Sequence, residues 1–354
     1  MTKLHHLQAL RGIAANLVVL DHIFSTLIRY GHLPASLEGF AWHFGEIGVG
    51  IFFVISGFIM VYTSHGEGGK AGAPYLFLEK RIIRVVPLYW LATLLAFAML
   101  FAIHKPESVS HLVQSLLFIP YYSGGVQEMR PVLGQGWTIN YEILFYAAFA
   151  ISLFLKGRWS LWFLIAVFCG LALGGAVLGE GRGAVWDSYT DPIILLFLMG
   201  VLVGWVCVNR PMSLPVRWPL LLTAVLLAMN LGIYVIFAQS TFTPVVCAVL
   251  SISTVVVCAL APAGVEGPVA RAWEMLGDGS YSTYLFHTFL LAVLNRLVIG
   301  GGGATMVLYG VLALAGSNII GIIAYTVLER PLTQRLRSAI SASRRTVRLS
   351  SSRL

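Results

Sequence analysis

Apolar runs long enough to cross a bilayer follow one another along almost the whole chain, and no other feature limits the fold so sharply. Ten can be drawn, at about 7–28, 45–63, 85–103, 137–155, 160–178, 191–208, 218–237, 243–262, 282–299 and 303–328. A helix needs about 20 apolar residues to span the hydrocarbon core, whereas a membrane strand needs only about 9–11 of alternating polarity. The expected fold is all-α, a polytopic transmembrane helix bundle of about ten spans. Charged residues make up 11% of the 354 and mean hydropathy is +0.84. A soluble domain carries about 25% charged residues. That excludes a soluble enzyme, a disordered chain and a nucleic-acid-binding domain, so no nucleic-acid partner is expected.

The net charge of +8 follows from topology. With the N-terminus in the cytoplasm, the inner segments and the C-terminal stretch hold seventeen of the 23 lysines and arginines, and the outer loops hold four, Arg29, Lys105, Arg130 and Arg182. Under the positive-inside rule this puts both termini in the cytoplasm. The first run carries Arg11, Asp21 and His22 and no small-residue cleavage site. It reads as a retained span, not a signal peptide. A transmembrane domain is expected over 1–330, and a basic, serine-rich cytoplasmic tail over 331–354, as a frayed helix or disorder near anionic lipid headgroups. His111 to Pro120 is too short to span and reads as an interfacial or re-entrant segment, bounded by Pro106 and Pro120. Gly300 to Gly303 read as a tight hairpin. Cys169, Cys207, Cys247 and Cys258 lie in apolar runs without ligand spacing, so they read as small apolar residues and no metal site is expected.

Ionisable residues inside spans are costly unless they face protein or water. Arg11 and His22 are eleven positions apart in the first span. At 100° per residue they share one face, roughly 16 Å apart along the axis. Singly, they read as a snorkelling arginine and a core histidine; together they suggest the wall of a polar cavity. In the fourth span Glu142 lies about a turn and a half inside, with Tyr146 at i+4. A carboxylate facing a histidine can orient it and raise its basicity, and Glu142 ranks above Asp21 for that part. Arg81 and Arg84, at i and i+3 in an inner loop before the third span, fit plain positive-inside anchoring or a phosphate clamp. His287 is expected in the inner half of the ninth span. Gly48, Gly50, Ser56 and Gly57 read mostly as close-packing residues, and no dinucleotide motif is present.

Five separated segments, in order, resemble the acyltransferase 3 family of integral membrane O-acyltransferases. They are Leu7 to His22, Gly50 to Phe58, Arg81 and Arg84 with Pro87-Leu88-Tyr89-Trp90, Trp137 to Tyr146, and Tyr281 to His287. The sequence departs from the family pattern at Gln8, where aspartate is frequent, and at Ile143, where a second carboxylate is frequent. The resemblance is to stand-alone members that modify exopolysaccharides or their lipid-linked precursors with acetyl or succinyl groups.

The resemblance implies an enzyme of the bacterial cytoplasmic (inner) membrane with no bound cofactor. It would move an acyl group from cytoplasmic acyl-CoA (acetyl-CoA or succinyl-CoA) to a hydroxyl of a carbohydrate acceptor, extracytoplasmic or lipid-linked. Arg81 and Arg84 would hold the nucleotide phosphates, with Arg11 at the inner end. His22 would deprotonate the acceptor hydroxyl or carry the acyl group, Glu142 would orient His22, and His287 would line the donor path. The competing class is a transporter of a sugar or acyl compound without chemistry, although no paired halves with interrupted helices are visible.

Overall fold

The computed structural model describes residues 4–105, 107–123, 129–210, 218–237, 240, 242–261, 267–298 and 302–351. These residues form helices and no strands. In chain order the helices are α1 (His5–Arg29), α2 (Glu38–Ser64), α3 (Ala73–Ala102), α4 (Val109–Leu116), α5 (Trp137–Ser152), α6 (Arg158–Leu178) and α7 (Ala184–Tyr189). They continue with α8 (Leu195–Asn209), α9 (Pro219–Phe237), α10 (Thr243–Leu260), α11 (Pro268–Asp278), α12 (Ser280–Val298), α13 (Gly303–Ala324) and α14 (Arg330–Ser351).

Eight helical segments among the described residues are long and apolar enough to cross a membrane. The expected count of ten included α5 and α12, which are helices of 16 and 19 residues standing outside those eight. His111–Pro120 holds the short helix α4, while its expected boundary Pro106 lies outside the described residues. Gly300 and Gly301 of the expected Gly300–Gly303 hairpin also lie outside them, and Gly303 begins α13. Residues 331–351 are helical, continuing from α13 through a five-residue π-turn, Tyr325–Glu329, into α14.

The arginine pair requires a correction. Arg81 and Arg84 sit on α3, not in a loop before it, because the helix starts at Ala73, twelve residues ahead of the apolar run. Gly72 supplies a left-handed turn (φ 79°) and Pro74 occupies the first turn, where its missing N–H costs nothing. Pro87 lies inside α3 and removes a helical donor just past Arg84. Tyr281 on α12 donates to the nearby Val85 carbonyl at 2.8 Å, joining α12 to α3 at this point.

α1 and α2 form the centre of the bundle, with α1 packed also against α10, α11, α12 and α13. α2 meets α8 backbone to backbone: a methyl on Gly57 would overlap the Phe197 carbonyl oxygen, and one on Gly200 the Val54 carbonyl oxygen. Hydrocarbon gives helices little hydrophobic reason to associate, so such close approach through small residues holds them. Phe53, Phe197 and Phe145 stack at 4.2 and 4.5 Å, and Phe145 meets Phe168 at 5.4 Å. This aromatic column joins α2, α8, α5 and α6. It fixes α5, which carries Glu142, against α2.

Candidate active site

α1 and α2 run side by side, and small residues set their register. Gly45 packs on the Asp21 carboxylate and Gly48 on the Ala14 carbonyl and Val18. Ser56 is eleven residues beyond Gly45, about 16 Å along the axis. That places it near the level of Arg11, ten residues before Asp21. α5 meets α2 there. Glu142 accepts hydrogen bonds from Ser56 Oγ at 3.2 Å and from the Tyr146 hydroxyl at 3.0 Å.

Two chambers open at this level, and Arg11, Phe52, Glu142 and Tyr281 line both. The larger, of about 300 Å³, also has Arg81 and Arg84 in its wall. The smaller, of about 70 Å³, is lined also by Val49, Thr138 and Tyr284. A pocket of this size, with a few convergent polar groups in an apolar lining, is of the kind that holds a small ligand or part of a larger one. Three guanidinium groups against one carboxylate make the larger chamber suited to a polyanion.

α11 sets Arg11. A methyl on Gly277 would overlap the Gln8 carbonyl, so α11 lies directly on the first turns of α1. Gln8 then relays charge: its amide nitrogen donates to Asp278 at 2.7 Å while its oxygen accepts from Arg11 at 3.1 Å. His5 bonds Glu274 one turn away. Arg81 is held loosely, over the Phe77 ring at 5.5 Å and 3.4 Å from the Thr63 hydroxyl. Most of its donors have no partner among the described residues.

His22 stands further along α1. Its Nδ1 donates to the Val18 carbonyl at 2.9 Å, and that fixes the tautomer, leaving the lone pair on Nε2. The carboxylate beside it is Asp21, 3.9 Å from Nδ1, itself held by Ser25 Oγ at 3.1 Å. Glu142 bonds Ser56 and Tyr146 instead, so the expectation that it faces His22 is replaced: Glu142 belongs with the arginines, for the reason of register given above.

The place of His287 is also corrected. α12 does not begin at the bundle's end but where α11 delivers it, at the level of Gly12, against which Leu276 packs. His287 is therefore deep, its ring edge-to-face with His22 at 4.9 Å. Tyr284 connects this pair with the smaller chamber, 6.3 Å from the His287 ring, and its hydroxyl donates to the Gln135 carbonyl at 2.9 Å. Gln135 in turn donates to the Leu285 carbonyl at 2.9 Å and to Thr288 at 3.0 Å.

Several polar residues here escaped the sequence reading. Ser56, filed with the packing glycines, touches Glu142. Glu329, buried at the end of the π-turn, accepts from Ser282 at 2.6 Å. A lone carboxylate at the end of the last apolar run was the available signal for it. Among the described residues no group of histidines, cysteines and carboxylates is placed to hold a metal ion.

Comparison with known proteins gives this site a context. The acyltransferase 3 model, described as an acyltransferase domain, matches residues 4–326. The chain is 37% identical over 321 residues to the exopolysaccharide production protein ExoZ of Rhizobium meliloti (strain 1021), covering 86% of this chain and 94% of that one. It is 22% identical over 325 residues to the acyltransferase MdmB of Streptomyces mycarofaciens, covering 81% of this chain and 80% of the other. No solved structure matches. The chain belongs to the acyltransferase 3 family.

Proposed function

From that membership we propose that the protein is a membrane O-acyltransferase of the bacterial inner membrane. It takes an acetyl or succinyl group from cytoplasmic acyl-CoA and places it on a hydroxyl of an extracytoplasmic or lipid-linked polysaccharide. The name of ExoZ, which speaks of exopolysaccharide production, supports the acceptor class. The observation that carries the reading is the succession from Arg81 and Arg84, past the chambers that share Arg11, to Tyr284 in the smaller one's wall and on to the His22–His287 pair, whose His287 ring lies 6.3 Å from that of Tyr284. It has a polyanion site at one end and a histidine with a free Nε2 at the other.

The arginine-bearing end faces the cytoplasm, where lysine and arginine collect. Arg81 and Arg84 receive the nucleotide phosphates. The pantetheine arm runs past Arg11 and Tyr281, and the thioester comes to His22. His22 Nε2 takes the proton of the acceptor hydroxyl as its oxygen attacks the thioester carbonyl carbon. The C–O bond forms, the C–S bond breaks with its electron pair going to sulfur, and the proton passes from His22 to the CoA thiolate. Asp21 stabilises the imidazolium formed between these steps. Membership of an acyltransferase family disfavours transport without chemistry.

The test has two parts. Purified protein with acyl-labelled acyl-CoA should release CoA in the presence of acceptor, whereas a carrier would bind without turnover. In cells, His22→Ala and Arg11→Ala proteins should insert normally while mass spectrometry of the glycans shows the acyl groups lost. Wild-type acylation in both variants would sink the assignment.

A further inference from the structure

His287 is wholly buried, and its Nε2 has no hydrogen-bond partner among the described residues. Its Nδ1 is engaged by the Thr283 carbonyl at 3.1 Å, so the unpartnered nitrogen is the one with the lone pair. His22 is held in the same way, by the carbonyl four residues before it. Two imidazoles thus meet at 4.9 Å, each with Nδ1–H spent on its own helix and each keeping an acceptor at Nε2. Buried polar atoms are nearly always paired, and leaving one unpaired is costly. An acceptor kept open beside the reacting histidine marks where a ligand's donor comes.

The chemistry of the two substrates says which ligand. A thioester group offers a carbonyl oxygen and a sulfur, both acceptors, and a succinyl carboxylate would add more. None of these satisfies a lone pair, and the amide N–H groups of the pantetheine arm lie back along the arm from the reacting carbon. Sugar hydroxyls do. One hydroxyl has only one proton, however, and cannot serve two bases at once.

Resting on the acyl transfer proposed above, we infer that His22 and His287 together form the acceptor subsite, and that this subsite takes a carbohydrate presenting two neighbouring hydroxyls. The first O–H points to His22 Nε2, loses its proton there and becomes the ester oxygen. The second donates to His287 Nε2, orients the ring and is not acylated. His287 touches acceptor, not donor, and stays neutral throughout.

The experiment uses full-length protein in detergent with acetyl-CoA as donor. The acceptors are a methyl hexopyranoside and its monodeoxy analogues, each lacking one hydroxyl. In wild type, removing the partner hydroxyl should lower kcat/KM by about 10- to 100-fold. His287→Leu should lower kcat/KM for the parent glycoside by a similar factor, show no further loss on the partner-deoxy analogue, and leave the KM for acetyl-CoA unchanged. His287→Gln, whose amide oxygen can accept near the place of Nε2, should stay within about tenfold of wild type and keep the discrimination.

A His287→Leu protein that loses equally on parent and deoxy acceptors overturns the inference. So does one whose acetyl-CoA KM rises while kcat holds, which would return His287 to the donor path. If the leucine variant fails to insert, the glutamine variant decides: normal insertion with the discrimination gone overturns it as well. Wild-type protein that acylates none of the glycosides overturns both this inference and the function it rests on.

Discussion

The assignment of Arg81 and Arg84 to the donor's phosphates can be separated from any structural part they play, because the donor can be shortened chemically. Arg81 has weak ties within the protein, a 3.4 Å contact to the Thr63 hydroxyl and the Phe77 face at 5.5 Å. Little is lost inside the fold when it becomes glutamine. A hydrogen bond to a charged group contributes about 1.5–3 kcal/mol, so losing one guanidinium–phosphate contact should raise the KM for acetyl-CoA by roughly 10- to 100-fold. Arg84 lies one turn away facing the same chamber, so Arg81→Gln and Arg84→Gln together should cost less than the product of the two. The comparison donor is acetyl-pantetheine, which delivers the same thioester without the nucleotide phosphates. Both variants should turn it over as wild type does, within about threefold. The assay is CoA or pantetheine release by the purified protein, with KM and kcat resolved for each donor. Equal losses on the two donors would refute the phosphate clamp and return both arginines to membrane anchoring.

Further outcomes follow from the same geometry. Asp21→Asn should lower kcat more than Glu142→Gln does, because Asp21 lies 3.9 Å from His22 while Glu142 bonds Ser56 and Tyr146. A unit charge at that distance contributes on the order of 4 kcal/mol at an effective dielectric near 20, an upper figure for a partly exposed histidine. Steady-state kcat for the two variants checks the order. Gly57→Leu should destabilise the bundle by more than about 3 kcal/mol, since its side chain has to displace the Phe197 carbonyl; thermal unfolding in detergent reads the effect. Gly277→Val should push α11 off α1 and break the Gln8–Asp278 bond, raising the acetyl-CoA KM through Arg11 at near-normal insertion. The orientation predicts opposite labelling: with the four native cysteines replaced, Gln334→Cys should react with an impermeant maleimide from the cytoplasmic side and Arg182→Cys from the other, both positions being exposed.

Much of this architecture was legible because hydrocarbon leaves few options. Apolar run length marked the eight long helices, and the eleven-residue interval put Arg11 and His22 on one side of α1. What could not be read was register between helices. Glu142 was assigned to His22 because both are ionisable and intramembrane, but Gly45 on Asp21 and Gly48 on Ala14 slide α2 so that Ser56, and Glu142 with it, arrive beside Arg11. His287 was misplaced for the same reason, since nothing local reveals that α11 lifts the start of α12 to the level of Gly12. The extension of α3 back to Ala73 was hidden by Glu79, Lys80, Arg81 and Arg84, which lower local hydropathy without breaking the helix. Gln8 shows the limit of motif reading. It stands where the family often has aspartate, yet its amide passes Arg11 on to a carboxylate all the same, that of Asp278 on another helix.

The two helices outside the eight long apolar ones carry Glu142, Tyr281, Tyr284 and His287: α5 is short, at 16 residues, and α12, at 19, is long enough but less apolar. For α12 one physical cause produces both facts. A helix facing lipid has to be apolar on that face, but one that walls a polar chamber spends its sequence on hydroxyls, amides and imidazoles, and its hydropathy falls accordingly. α12 opens Ser-Tyr-Ser-Thr-Tyr before its first apolar residues, and in this bundle those hydroxyls reach Val85, Glu329 and Gln135. Such a helix is stable in the membrane only because α1, α3 and α13 shield it from lipid. In a chain of this kind, a helix too short or too polar to pass for a clear span, yet lying between two of them, is the place to search for the chemistry.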